Sequence, residues 1–251
     1  MTVFSVSLSR SSSVAALRRT LRPALLASIM AALTACAPLQ PDRTEAPVGR
    51  ARLVLPDAAW KDLGVVAADA LPSPFRGAGL PLESRAAVLH DAQGQVLAVV
   101  LLQTNATNDP RTGAAWQTDC PREPGLLVQD RATSPVRVDC LRFKRWADQA
   151  GWATQQHPEM MRWLQAHKAV PAQPYSHLSY RYGTEAGAFV QVHVLADQRL
   201  LRPATRSNEE FLHAGVPARD WSRQVADAAR LSTAMLDGHF ALPAFPLPVP
   251  Q

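Results

Sequence analysis

Two histidines, His177 and His193, lie in segments whose alternation of apolar and polar residues predicts the two strands of a β-hairpin. If Tyr182 pairs with Ala188 across a glycine-flanked loop, the apolar residues share one face and His177 lies directly opposite His193 on the other. Opposed residues of an antiparallel pair bring their Cβ atoms within about 5.5 Å. Two imidazoles at that distance could bind zinc or copper if a third ligand joined them.

The alternative interpretation of this pair is two surface or hydrogen-bonded histidines. No acidic residue lies on the same face of the predicted hairpin to complete a metal site. We therefore predict no resident metal and no cofactor, and keep His177 and His193 as the candidates that a structure has to test.

Established catalytic motifs are missing from the sequence. It contains no Gly-x-Ser-x-Gly elbow, no His-Glu-x-x-His pair, no Cys-x-x-Cys pair and no phosphate-binding Gly-x-x-x-x-Gly-Lys loop. Ser176 and Ser179 with His177 and Asp197 could form a hydrolytic set, but their spacing does not require it. We therefore predict no catalytic residue, and the balance favours a protein that is not an enzyme.

A basic and aromatic segment, residues 139–146, offers a second kind of chemistry. Its cations, Arg142 and Arg145 among them, alternate with Phe143 and Trp146 and could bind an anionic glycan or a lipid headgroup. The alternative, which we favour, is a helix with a solvated basic face and a buried aromatic face.

The first residues of the chain have the composition of an export signal. A stretch without acidic residues carries four arginines, and the apolar run 23–33 follows it and ends at Thr34-Ala35-Cys36. A basic region, a short apolar region and small residues before a cleavage point are typical of a secretory signal. The apolar run is shorter than the roughly 20 residues that a transmembrane helix needs.

The segment Leu33-Thr34-Ala35-Cys36 resembles the lipobox of bacterial lipoproteins. The resemblance implies cleavage before Cys36, a diacylglyceryl group on its thiol and a further acyl chain, such as palmitate, on the new amino terminus. It also implies sorting to the outer membrane, because no Asp follows Cys36. The alternative is an ordinary signal peptide with a chance cysteine. We expect a lipid-anchored protein of the cell envelope whose domain faces the periplasm.

The number of cysteines is relevant to this predicted location. If Cys36 is lipidated, Cys120 and Cys140 remain, and an even remainder in an oxidising compartment predicts a disulfide. Such a bridge would contribute about 3 kcal/mol to stability in the chain-entropy model. The alternative is two unrelated buried thiols.

Removal of the signal changes the charge of the protein. The whole chain has 26 basic and 21 acidic residues, a formal charge of +5. Residues 1–35 hold four of the arginines and no acidic residue, which leaves 22 basic against 21 acidic residues. A nucleic-acid partner therefore lacks electrostatic support.

The sequence divides into four parts: a signal peptide at 1–35, a lipidated Cys36 with a flexible tether at 36–50, one globular domain at 51–240, and an extended proline-rich tail at 241–251. Apolar runs at 85–90 and 95–103 around a turn predict another hairpin. Helices are predicted in five places: after Asp57 around Trp60, and at 141–150, 159–168, 207–215 and 217–236. Hairpins mixed with separate helices predict an α+β domain with an antiparallel sheet.

These features favour an envelope lipoprotein that acts as a non-catalytic interaction or accessory module. Its expected partners are the membrane, through the lipid anchor, and another envelope protein or peptidoglycan. Two alternatives stay open: a periplasmic enzyme, hydrolytic or metal-dependent, built from dispersed residues, and a binder of small ligands that uses Tyr180, Tyr182 or the tryptophans.

Overall fold

The computed structural model describes residues 44–56, 59–71, 80–108, 116–234 and 238–250. The predicted signal peptide, Cys36 and Asp57 lie outside these ranges. The described residues belong to the unit Asp42–Gln251. Its strands and helices form a mixed α+β domain around a large antiparallel sheet, so the predicted fold class is confirmed.

The strands form two sheets. The small sheet has the order β1-β2-β10, and the large one has the order β3-β4-β5-β9-β8-β7-β6, with every pair of the large sheet antiparallel. The strands are Glu45–Val48 (β1), Ala51–Val54 (β2), Trp60–Val65 (β3), Leu82–His90 (β4), Val96–Asn105 (β5), Leu126–Asp130 (β6), Val138–Lys144 (β7), Tyr175–Gly183 (β8), Phe189–Asp197 (β9) and His239–Ala241 (β10).

The hairpin of β4 and β5 forms as predicted. Asp91 begins the turn, and its carboxylate accepts hydrogen bonds from the backbone N–H groups of Gln93 and Gln95. Gly94 has a φ of +81°, a conformation that glycine adopts at little cost, and the pairing register shifts next to the turn. Every residue of β5 is buried, which explains its unbroken apolar run.

Two of the described helices begin at start signals identified in the sequence, Pro158 and Ser207. The helices are Trp152–Gln156 (α1), Pro158–Ala166 (α2), Gln198–Leu201 (α3), Asn208–His213 (α4) and Val216–Ala234 (α5). Pro158 opens α2, and the Ser207 hydroxyl accepts a hydrogen bond from the backbone N–H of Glu210 at the start of α4. Among the described residues, no helix is both long enough and apolar enough to cross a membrane.

Three predictions about local structure are wrong. The segment around Trp60 is strand β3 instead of a helix. The first four residues of the helix predicted at 141–150 belong to strand β7, which runs to Lys144. Leu141 and Phe143 alternate with Arg142 and Lys144, which is the period of a strand with one buried face. The predicted tether also ends early, because residues 45–48 form β1.

The large sheet is covered on both faces. One face packs against α5, the small sheet and the C-terminal segment, with Trp221 and Val225 of α5 in its core. The other face packs against α1 and α2 through Ala153, Met160 and Leu164. The second face is apolar beneath these helices and polar beside them. The site described below lies where the apolar part meets the polar part.

The proline-rich C-terminal segment is extended and lies against the domain. Phe245 stacks on Trp221 with ring centroids 4.9 Å apart and on Trp60 at 6.2 Å. The indole N–H of Trp221 donates to the backbone carbonyl of Pro243. Leu242 is 3% exposed, so the predicted tail contributes to the core.

Candidate metal centre

His177 and His193 lie on neighbouring strands and on one face, but not directly opposite each other. In the observed register His193 pairs with Ser179 and His177 pairs with Leu195, while Tyr182 pairs with Val190. The predicted register is therefore wrong by two residues, and the hairpin loop is longer than predicted. A shift of two preserves the face of each side chain. The histidines are consequently diagonal neighbours, with Nε2 of His177 3.0 Å from Nδ1 of His193.

A third histidine, His157, joins this pair from the helical layer. Its ring centroid lies 4.7 Å from that of His177 and 5.1 Å from that of His193. One ring nitrogen from each of the three histidines lies within 4.8 Å of the other two. The structure thus adds His157 as the third candidate ligand, which the strand pattern of the sequence did not indicate.

The helix start at Pro158 places His157 over the sheet. His157 is the N-cap residue of α2, with a φ of −137° and a ψ of 59°, and its side chain makes no capping hydrogen bond. The imidazole is therefore free to point at the sheet. The indole of Trp152 on α1 packs beside these histidines. Its ring centroid lies 6.1 Å from that of His157 and 5.8 Å from that of His177.

Burial keeps the cluster uncharged. His177 is 2% exposed and His193 is 3% exposed. Burial, followed by the positive charge of Arg142, lowers the pKa of His157 to about 4. Burial and neighbouring imidazoles and guanidinium groups hold the pKa values of His177 and His193 well below 6.5. At neutral pH all three are neutral imidazoles, the form that binds metal ions.

The polar atoms of the cluster are only partly satisfied. The side-chain amide of Gln191 lies 2.6 Å from Nε2 of His193, so both ring nitrogens of His193 have partners. Nε2 of His157 is buried and has no hydrogen-bond partner among the described residues. A buried polar atom without a partner costs free energy, which a bound ligand at this atom would recover.

A pocket of about 420 Å³ opens beside the histidines. Its floor is the polar part of the sheet face, and its walls are the start of α2, residues 117–121 and the segment after β3. His157 and His193 line the pocket directly. A ligand in the pocket could therefore reach the cluster.

Two arginines from the strands also line the pocket, Arg142 on β7 and Arg181 on β8. Arg142 donates to the carboxylate of Glu123 at 2.8 Å, and the indole of Trp152 donates to the other oxygen of that carboxylate at 3.0 Å. Arg181 donates to the backbone carbonyl of Asp119. The basic segment identified from the sequence therefore contributes one cation to the pocket, while Arg145 stacks on Trp146 elsewhere.

The predicted disulfide between Cys120 and Cys140 is confirmed. The two Cα atoms are 5.6 Å apart, and the bridge joins positions 20 residues apart. Cys140 lies on the floor of the pocket, and Cys120 lies within the segment that forms one wall. The bridge therefore attaches that wall to strand β7.

The residues of the hydrolytic set suggested by the sequence do not converge. The Ser176 hydroxyl donates to the backbone carbonyl of Arg145, and the carboxylate of Asp197 binds Arg199 and caps α3. His177 instead bonds His193. A serine nucleophile with these partners is therefore not assembled among the described residues.

The chain matches no protein-family model, no curated protein and no solved structure. The chemistry available to the site therefore follows from its own geometry. Three neutral imidazoles suit zinc, copper or another divalent transition metal. In a tetrahedral zinc site the nitrogens lie about 3.4 Å apart, given Zn–N bonds of 2.0–2.1 Å. The three nitrogens lie within 4.8 Å of one another here, so a metal ion would draw them closer together.

The number of ligands determines what such a metal could do. Three protein ligands leave one tetrahedral position for water or another molecule, the arrangement of catalytic zinc sites. Because His157 and His193 line the pocket, such a position could be reached from it. A metal ion held there would act as a Lewis acid or lower the pKa of a bound water.

Proposed function

We propose that this domain binds a divalent transition metal ion, zinc in the first place, through His157, His177 and His193. The observation that carries the proposal is the convergence of three buried, neutral imidazoles from two strands and a helix start. The unpartnered Nε2 of His157 and the adjoining pocket support it. The fourth coordination position is open to a small molecule in the pocket.

Titration of zinc into chelator-treated protein, monitored by isothermal titration calorimetry, tests this proposal. We expect one zinc ion per chain. Alanine substitution of His157, His177 or His193 should weaken zinc binding by more than the roughly 10–100-fold cost of losing an outer-shell partner. His213→Ala is the matched control, because His213 is exposed at the end of α4.

Folding of each variant is checked by circular dichroism before the titration. Zinc binding that the His213 variant retains and all three cluster variants lose supports the site. Zinc that binds equally well to a folded His157→Ala variant and to wild type contradicts it, as does wild-type protein that takes up no metal.

We also propose that the domain is lipid-anchored in the bacterial envelope. The lipobox-like segment ending at Cys36 supports an anchor, and the Cys120–Cys140 disulfide suits an oxidising compartment. Labelling of cells with a palmitate analogue tests this: label on wild type and none on Cys36→Ser supports the anchor, and unlabelled wild type contradicts it. An accessory role beside another envelope protein or peptidoglycan stays a prediction, which in-cell crosslinking and mass spectrometry would test.

A further inference from the structure

The floor of the pocket carries cations at depth and acids at its rim. The side chain of Arg142 is 14% exposed, and its Nε is buried without a hydrogen-bond partner among the described residues. Glu159 lies at the rim and is bonded to the exposed Arg162. Asp119 is exposed. The acids that line the pocket are therefore more exposed than Arg142.

Two carboxylates act on these cations: Asp119 on Arg181, and Glu123 on Arg142. Both oxygens of Glu123 are already engaged, one by Arg142 and the other by the indole of Trp152. Burial, and then the charge of Arg142, lower the pKa of Arg181, while the charge of Asp119 acts in the opposite direction. The pocket lining therefore places two guanidinium groups beside the histidines, and the Nε of Arg142 is still without a partner among the described residues.

A divalent metal ion on the histidines would add two positive charges beside the two guanidinium groups. Uncompensated charge in a poorly solvated site is costly, and a bound anion removes most of that cost. The sheet register also shows where an anion would lie. Arg142 pairs with Ser179, and Ser179 pairs with His193, so a small side chain separates the guanidinium from the imidazole. Ser179 leaves space in the pocket at that point.

We propose that the pocket binds an oxyanion, the carboxylate or phosphoryl group of a small molecule, between Arg142, Arg181 and the open coordination position of the metal. This inference rests on the proposed metal site. Guanidinium groups suit these anions because their N–H donors match two oxygens at once. Metal and oxyanion then bind cooperatively, and each raises the affinity of the other by the same factor.

The remaining lining limits the size of the ligand. Leu71, Met160 and Pro121 add apolar surface beside the polar floor. A volume of about 420 Å³ lies within the range of small-molecule sites, roughly 300–1,000 Å³. The ligand class is therefore a small molecule with one oxyanion group and a short apolar part.

Cobalt(II) provides the probe, because its visible absorption changes when its ligands change. The full protein is loaded with cobalt and titrated with acetate in one arm and with inorganic phosphate in the other. We expect either anion to change the spectrum, the stronger response identifying a carboxylate or a phosphoryl ligand. Arg142→Gln and Arg181→Gln should each weaken that anion by at least about tenfold while cobalt still binds.

The matched control is Arg223→Gln, an exposed arginine of α5 that pairs with Asp220 on the opposite side of the sheet. Its anion affinity should equal that of wild type. A cobalt spectrum that neither anion alters, or an anion response that both pocket variants retain, overturns the oxyanion inference and leaves the metal site standing. Protein that binds no cobalt overturns the metal site itself. Arg181→Gln gives an independent reading if loss of Arg142, which pairs with Glu123, prevents folding.

Discussion

The side-chain amide of Gln191 lies 2.6 Å from Nε2 of His193, while Nδ1 of the same ring faces His177. Metal binding through Nδ1 leaves the proton on Nε2, where the amide oxygen of Gln191 can accept it after rotation of the amide. Such an outer partner fixes the orientation and the tautomer of a metal-binding histidine. Gln191 is therefore a positioning residue of the proposed site.

Gln191→Ala should weaken zinc binding by roughly 10–100-fold, the usual effect of losing an outer-shell partner. Calorimetric zinc titration measures it, and Gln191→Glu should restore affinity because a carboxylate also accepts the Nε2 proton. Gln129→Ala on edge strand β6 serves as the control, since Gln129 bonds Arg131 instead. Equal zinc affinity of wild type and a folded Gln191→Ala variant would rule out this role.

Acid should destabilise the metal-free protein through the same cluster. In the unfolded chain a histidine takes up a proton near pH 6.5, whereas His157 in the folded chain stays neutral down to about pH 4. Between pH 6.5 and about 4 the unfolded chain holds more protons than the folded chain. The free energy of unfolding is therefore full above pH 6.5 and decreases as the pH falls toward 4. His177 and His193 act in the same direction.

Urea unfolding at pH 7 and pH 5, with a chelator present, measures this effect. His157 alone should account for about 1.4 kcal/mol of the free energy of unfolding for each pH unit in that window. His157→Gln should lose less stability than wild type between the two pH values, and the exposed His213→Gln should follow wild type. Parallel curves for His157→Gln and wild type would contradict the assignment.

The sequence predicts the α+β class and the β4–β5 hairpin because turn chemistry is local. Asp91 and Gly94 specify their turn whatever surrounds it. The register of β8 and β9 is less constrained, since a shift of two residues keeps every side chain on its face. The alternation of residues around His177 and His193 therefore predicts the correct face and the wrong partners.

The third ligand could not be predicted from the sequence. His157 lies between two short helices, and only the packing of those helices on the sheet determines which strand residues it meets. A histidine directly before a helix-starting proline is a weak signal by itself. The interpretation of 141–150 as a helix hides the pocket as well, because it removes Arg142 from the sheet face on which the histidines lie.

The disulfide should stabilise the domain more than it supports metal binding. A bridge between positions 20 residues apart contributes about 3 kcal/mol in the chain-entropy model, which corresponds to about 6–12 °C in Tm for a domain of this size. The double variant Cys120→Ser/Cys140→Ser should lose that amount in a thermal denaturation. Its zinc affinity should change little, because no proposed ligand lies on the bridged wall. An unchanged Tm would show that the bridge does not form in solution.

Gly183, at the end of β8, should tolerate no side chain. A Cβ atom there would lie 2.8 and 2.9 Å from ring carbons of Trp116 and 3.0 Å from Cγ1 of Val138. Trp116 cannot move easily, because its indole donates to the carbonyl of Thr184 and stacks on Phe189 with ring centroids 5.0 Å apart. Gly183→Ala should therefore cost about 1–3 kcal/mol, the usual penalty for overpacking a core.

Gly215→Ala is the matched control, since a Cβ atom there meets nothing within 4 Å. Urea unfolding of the two variants should separate them, with Gly215→Ala close to wild type. Because Trp116 directly precedes the pocket wall at 117–121, a displaced indole should also move that wall. Gly183→Ala is thus expected to weaken binding of the pocket ligand, while zinc affinity, set by histidines of β8, β9 and the start of α2, is retained. Equal stability of the two variants would mean that the indole gives way without cost and that this part of the wall is not fixed by packing.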